Sequence, residues 1–142
     1  MNGEDFVTYE PRKAVLIVED SPVQALALIQ LLELQGLRVF CAQNGKYGIS
    51  LARAYKPELI ILDIRMPEMS GLEVCHIIKN DPVTRDIPII FLSAHSEPEL
   101  LQEGLGNGAI DFIPKDDFSN IVLLKTLRQL GIISDSGAGE AV

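Results

Sequence analysis

Five short apolar runs recur along the chain, and each is followed by a stretch with helical periodicity. The runs are Ala14–Val18, Leu37–Ala42, Leu59–Leu62, Pro88–Leu92 and Ala109–Ile113. The first and third are wholly apolar, rich in β-branched residues and without a polar alternation, as in strands covered on both faces. Helical spacing follows each run. Ser21-Pro22 suits a helix start, and Val23 to Gln35 carries Leu26, Ile29 and Leu32 before Gly36 stops it. Asn44–Tyr55, with Ile49, Leu51 and Ala52 available to a core, and Gly71–Lys79 supply the second and third helices. A fourth is expected near Glu97–Glu103, ahead of a glycine-rich break at Gly104–Gly108, and a fifth over Ser119–Leu130. Five such units in series predict an α/β fold, a doubly wound five-stranded parallel sheet with five helices on its two faces.

At 142 residues the chain reads as one domain. The expected boundaries are a polar lead-in over 1–13, a folded unit over 14–133 and a small-residue linker or tail over 134–142. The apolar runs fall far short of the roughly 20 residues that span a bilayer. The first five residues lack the basic start of a secretory signal, so a cytoplasmic location and no membrane partner are expected. A net charge of −8 argues against direct nucleic-acid binding but leaves room for a bound cation and for protein partners. Cys41 and Cys75 form no framework and are expected as small buried apolar residues.

In an open α/β sheet, ligands bind beyond the carboxyl ends of the strands. The first run ends in Glu19-Asp20, the third in Asp63, the fourth in Ser93, and the fifth meets Lys115. Three carboxylates, a hydroxyl and an ammonium are thereby expected on one edge. The carboxylates would repel one another unless a cation sits among them. An all-oxygen ligand set favours a hard divalent ion, and Mg2+ fits best because it uses one or two carboxylates together with substrate phosphate. Lys115 and Ser93 would then meet phosphoryl oxygens, and a carboxylate could serve as nucleophile. Asp63 is the preferred acceptor, since it stands alone at a strand end before the turn containing Met66-Pro67.

Glu19-Asp20, the segment Leu62-Asp63-Ile64-Arg65-Met66-Pro67 with Gly71, Phe91-Leu92-Ser93-Ala94 and Lys115 together resemble the receiver domains of response regulators in two-component signalling. The intervals fit as well: 43 residues from Asp20 to Asp63, 30 to Ser93 and 22 to Lys115. The resemblance covers roughly Val15 to Leu130 and implies a flavodoxin-like architecture. It implies that Asp63 is the phosphoacceptor and that Glu19, Asp20, Asp63 and the backbone carbonyl of Arg65 hold Mg2+. Ser93 and Lys115 would bind the phosphoryl group. Phe112 falls at the family's aromatic switch position, or is plain core. Arg65 and His95 fit either modulators of phosphoryl loss or exposed loop residues, and His76 fits a structural role. The implied partners are a histidine kinase or histidine phosphotransfer protein, and a downstream protein or an output domain elsewhere in a larger regulator; a homodimer is compatible.

One position departs from the pattern. The family usually has a cis proline after the lysine, whereas Asp116 follows Lys115 here, so a trans bond and a different local loop are expected, with Asp117 as a cap for the last helix. Two other functions compete with this one. A phosphatase with Asp63 as nucleophile would want an acid two residues later, where Arg65 stands. A degenerate receiver, acting as a constitutive interaction module, is favoured only by the Lys115-Asp116 junction.

Overall fold

A computed structural model of the protein describes residues 12–134. Apart from Arg12, Lys13 and Ser134, the expected lead-in and tail lie outside the described residues. The elements run β1 (Ala14–Val18), α1 (Pro22–Leu34), β2 (Arg38–Ala42), α2 (Gly45–Tyr55), β3 (Leu59–Leu62), α3 (Gly71–Lys79), β4 (Ile89–Ser93), α4 (Pro98–Gly106), β5 (Asp111–Pro114) and α5 (Ser119–Gln129). All five strands are parallel, in the order β2-β1-β3-β4-β5. This is the α/β doubly wound sheet that the alternation predicted.

The apolar runs split residue by residue between two cores. Leu16 and Val18 of β1, with Ile60, Leu62 and Phe91, join Ala52, Val74, Cys75 and Ile78 from α2 and α3. Val15 and Ile17, with Leu59, Ile61, Ile90 and Leu92, join Leu28 and Leu32 of α1 and Leu123 and Leu127 of α5. A run with no polar alternation is what two covered faces require. Cys75 is fully buried as expected, its thiol pushed up to about 11 by burial, whereas Cys41 is only half-buried.

Three details differ from the sequence expectation. The buried face of α1 is Ala25, Leu28 and Leu32, while Leu26 is 55% exposed and Val23 79% exposed. The helix is apolar nearly all round, so the identity of its residues does not tell which stripe packs. The fourth helix extends through Gly104 and Gly106, which had read as a break. Gly104 is a packing residue: a Cβ there would lie 2.8 Å from the Phe91 ring, so its absence lets α4 settle on the sheet. Finally, β5 begins at Asp111 rather than Ala109, because the Ala109 N–H is used to close α4. It donates to the Gly104 carbonyl at 3.2 Å while Gly108, at φ +105°, donates to Leu105 at 3.0 Å.

The loop from β3 into α3 is drawn tightly back onto the strand end. The Gly71 N–H donates to the Ile64 carbonyl at 2.7 Å. Ser70 and Glu73 form a reciprocal capping box that fixes where α3 starts. A Cβ on Gly71 would lie 1.9 Å from the Asp63 carbonyl oxygen, which no side chain can accept without moving that backbone. Gly71→Ala is expected to destabilise the protein by about 3 kcal/mol in urea unfolding. Gly106→Ala, which meets open space, is expected to be neutral or stabilising by up to about 1 kcal/mol.

Candidate functional site

β1 and β3 are neighbours in the sheet although α1, β2 and α2 separate them in the chain. Beyond β1 the chain departs toward β2, and beyond β3 toward β4, which opens a crevice at their carboxyl ends. Val18 pairs with Leu62, and the Asp63 N–H donates to the Val18 carbonyl at 3.1 Å, so the residues that follow both strands emerge side by side. One carboxylate oxygen from each of Glu19, Asp20 and Asp63 lies within 4.8 Å of the others.

Each acid is held differently. Glu19 is buried; its Oε1 accepts from the Lys115 ammonium at 2.6 Å and its Oε2 from the Ser21 N–H at 3.0 Å. Asp63 Oδ1 accepts from the Ile64 N–H at 2.8 Å, and Oδ2 faces Lys115 Nζ at 3.5 Å. Among the described residues, neither a hydrogen bond nor an ion pair engages the Asp20 side chain. Lys115 also donates to the side-chain oxygen of Gln24. One ammonium thus pairs with two of the three carboxylates, leaving an excess of negative charge. The Cys41 thiol registers part of it, pushed up by burial and then by the Glu19 charge.

Ser93 lies buried at the end of β4, its Oγ accepting from the His95 N–H at 3.1 Å. The Lys115 N–H donates to the Ser93 carbonyl at 2.9 Å, tying the ends of β4 and β5 together. Arg65 is exposed and His95 half-buried, and neither side chain bonds to the acidic cluster. The Arg65 carbonyl accepts no hydrogen bond among the described residues. His76 is exposed on α3. Phe112 lies in the core rather than in the site, 7% exposed, its ring 5.8 Å from that of Phe91.

The junction after Lys115 takes the trans form expected of it, as every described peptide bond is trans. The capping expectation needs correcting: Asp116, not Asp117, organises the turn. Its Oδ1 accepts from the Phe118 N–H at 2.8 Å, and its carbonyl accepts from Ser119 Oγ at 3.0 Å and from the Ser119 N–H at 3.2 Å. α5 itself starts with no side-chain cap. Gln24 is the residue that sequence reasoning missed. A polar side chain in the first turn of a helix beginning right after an acid pair is the signal that would have pointed to it.

The cluster suits a cation. Its donors are all oxygen, the Asp20 carboxylate has no other partner among the described residues, and the excess charge favours a hard divalent ion.

The family model for the response regulator receiver domain matches residues 15–128. The chain belongs to that family. A probable cyclic di-GMP phosphodiesterase of Vibrio cholerae is 43% identical over 112 residues, covering 79% of this chain and 25% of that protein. Protein PilH of Pseudomonas aeruginosa is 34% identical over 114 residues, covering 80% of this chain and 93% of PilH. The crystal structure of the receiver domain of a Pseudomonas aeruginosa sensor histidine kinase, with a magnesium ion coordinated in its active site cleft, superposes with a TM-score of 0.77. It is 26% identical, over 85% of this chain and 99% of that one. The chain therefore spans a quarter of one relative's length and most of another's. It is a receiver domain of two-component signalling.

Among the described residues, no helix of this receiver is long and apolar enough to cross a membrane. In the absence of divalent ions, Asp20→Asn is expected to stabilise the domain by about 1 kcal/mol through relieved repulsion. Urea unfolding at rising magnesium should show that advantage shrink, because only the wild type offers all three carboxylates to an ion.

Proposed function

We propose that this receiver is a phosphorylation switch in which Asp63 takes a phosphoryl group from the phosphohistidine of a histidine kinase or histidine phosphotransfer protein. The observation that carries the reading is the meeting of Glu19, Asp20 and Asp63 within 4.8 Å, with the Lys115 ammonium on two of them. The attacking group is an Asp63 carboxylate oxygen. As its bond to phosphorus forms, the bond from phosphorus to the donor imidazole breaks. Glu19, Asp20, Asp63 and the free Arg65 carbonyl are the residues that would hold Mg2+. A bound magnesium ion supplies charge neutralisation to the transferring phosphoryl oxygens.

Lys115 lies within reach to give a second positive charge to those oxygens. The Ser93 hydroxyl accepts one bond from His95 and keeps its proton available to donate. His95 and Arg65, two residues beyond Ser93 and Asp63, would be the modulators of phosphoryl loss. Phe112 is already buried against Phe91, so it serves this switch better as a support that holds the inward state than as a ring that must still turn in.

The reading takes 14–133 as the module and places it in the cytoplasm, with 1–13 as a lead-in and 134–142 as a tail or linker. Its output is a changed contact with a downstream protein or a linked output domain. A degenerate, constitutive receiver is the other reading. Its one support was the Lys115-Asp116 junction, and Lys115 lies 3.5 Å from Asp63 despite the altered loop.

Incubated with magnesium and a small-molecule phosphodonor, the wild type should gain one phosphoryl group in intact-mass measurements. Asp63→Asn should gain none, and Lys115→Met should react about 100-fold more slowly. No gain by a wild type that still binds magnesium would leave the constitutive module standing. A gain by Asp63→Asn would move the acceptor to another carboxylate.

A further inference from the structure

We propose that Gln24 is a positioning residue for Lys115, holding its ammonium on the Glu19 side of the site, so that Lys115 competes with magnesium for Glu19. The inference rests on the reading of the acidic cluster as a magnesium site and extends it to a residue outside the ligand set.

A lysine ammonium has three donors and no acceptor, so its position reports which acceptors win it. Lys115 hydrogen-bonds to Glu19 at 2.6 Å and to the Gln24 side-chain oxygen. Asp63 is left at 3.5 Å, an ion pair without a hydrogen bond. Glu19 and Asp63 carry the same charge, and Coulomb attraction alone would draw the ammonium toward both. The neutral acceptor on α1 breaks that symmetry in favour of Glu19.

Both winning acceptors are fixed by the same residue. The Ser21 N–H donates to Glu19 Oε2 at 3.0 Å, and Ser21 Oγ accepts from the Gln24 N–H at 3.4 Å as the N-cap of α1. Gln24 is thereby presented from the first turn of a helix and not from a loop. On the other side, Lys115 is anchored only through its backbone, by the 2.9 Å bond to the Ser93 carbonyl. The carboxylate of Asp116, next in the chain, is turned to Phe118 and gives Lys115 no help. The direction of the Lys115 side chain is left to Glu19 and Gln24.

The two acceptors respond differently to a cation. Glu19 attracts Lys115 less once an ion shares its charge, whereas the Gln24 amide is uncharged and its hold is unaffected. Gln24 therefore favours the arrangement in which Lys115, not magnesium, neutralises Glu19. Removing the amide should loosen that competitor and leave Glu19 freer for the ion.

The test is magnesium affinity by titration calorimetry for the wild type, Gln24→Met, Lys115→Met and the double variant. Gln24 is exposed, and Met keeps the helix and the side-chain length without the amide. Gln24→Met is expected to tighten magnesium binding about fivefold. Lys115→Met should tighten it further, and adding Gln24→Met to Lys115→Met should change nothing. An unchanged affinity in Gln24→Met, or an equal change with and without Lys115, would overturn the proposal while the magnesium site stands. Absence of magnesium binding by folded wild-type protein would overturn the site reading and this proposal together.

Discussion

Three carboxylates held within 4.8 Å of one another repel, and much of the local structure at the sheet edge is arranged around that repulsion. They meet because β1 and β3 are adjacent and end in register, Val18 against Leu62. A slip of one residue between those strands would turn Asp63 to the other side and exchange the two cores besides. The charge is then met locally. Ser21 gives its N–H to Glu19 and Ile64 gives its own to Asp63, both within two residues of the acid they serve. Lys115 arrives from the far strand β5, and its ammonium is the only cationic group among the described residues that pairs with the cluster. Asp20 receives nothing from the described residues, and it is the carboxylate with most to gain from an added ion.

Much of this was legible in the sequence because strand ends are marked by abrupt chemistry. Val18 to Glu19, Leu62 to Asp63 and Leu92 to Ser93 are changes from apolar to polar that a sheet buried on both faces requires at its edge. What was not legible depends on a third dimension that spacing does not carry. In α1 nearly every position is apolar, so Leu26 was as plausible a core residue as Ala25, and only the way the helix sits on the sheet selects Ala25, Leu28 and Leu32. Gly104 looked like punctuation because glycine lowers helix propensity. Its value lies in what it leaves free for the Phe91 ring, which no local pattern announces. Gln24 was overlooked for a related reason: its partner is 91 residues away.

The junction after Lys115 shows how one loop can be closed by different chemistry. The family's usual proline would constrain the backbone through its ring. Here Asp116 does so with a side-chain acceptor, gathering the Phe118 N–H while its carbonyl takes Ser119. Such a turn is held by hydrogen bonds that water can replace, so it is softer than a ring. The softer loop still delivers Lys115 to the acids, because its backbone is pinned to the end of β4.

That softness bears on where a switch in this receiver can travel. Phe112 is already packed against Phe91, beneath the turn of α4 where Gly104 carries no side chain. On the proposed reading, a phosphoryl group on Asp63 adds charge on the side of the site that Lys115 now serves least. The ammonium is drawn from Glu19 and Gln24 toward it. Its backbone N–H is tied to the Ser93 carbonyl, and the chain runs on directly into the turn at Asp116. Beyond that turn stand Phe118, 66% exposed, and Ile121 on the first turn of α5, an apolar surface close behind the charge that moves. The acidic cluster at the sheet edge and the exposed apolar residues Phe118 and Ile121 are thus separated by only a few residues of hydrogen-bonded loop.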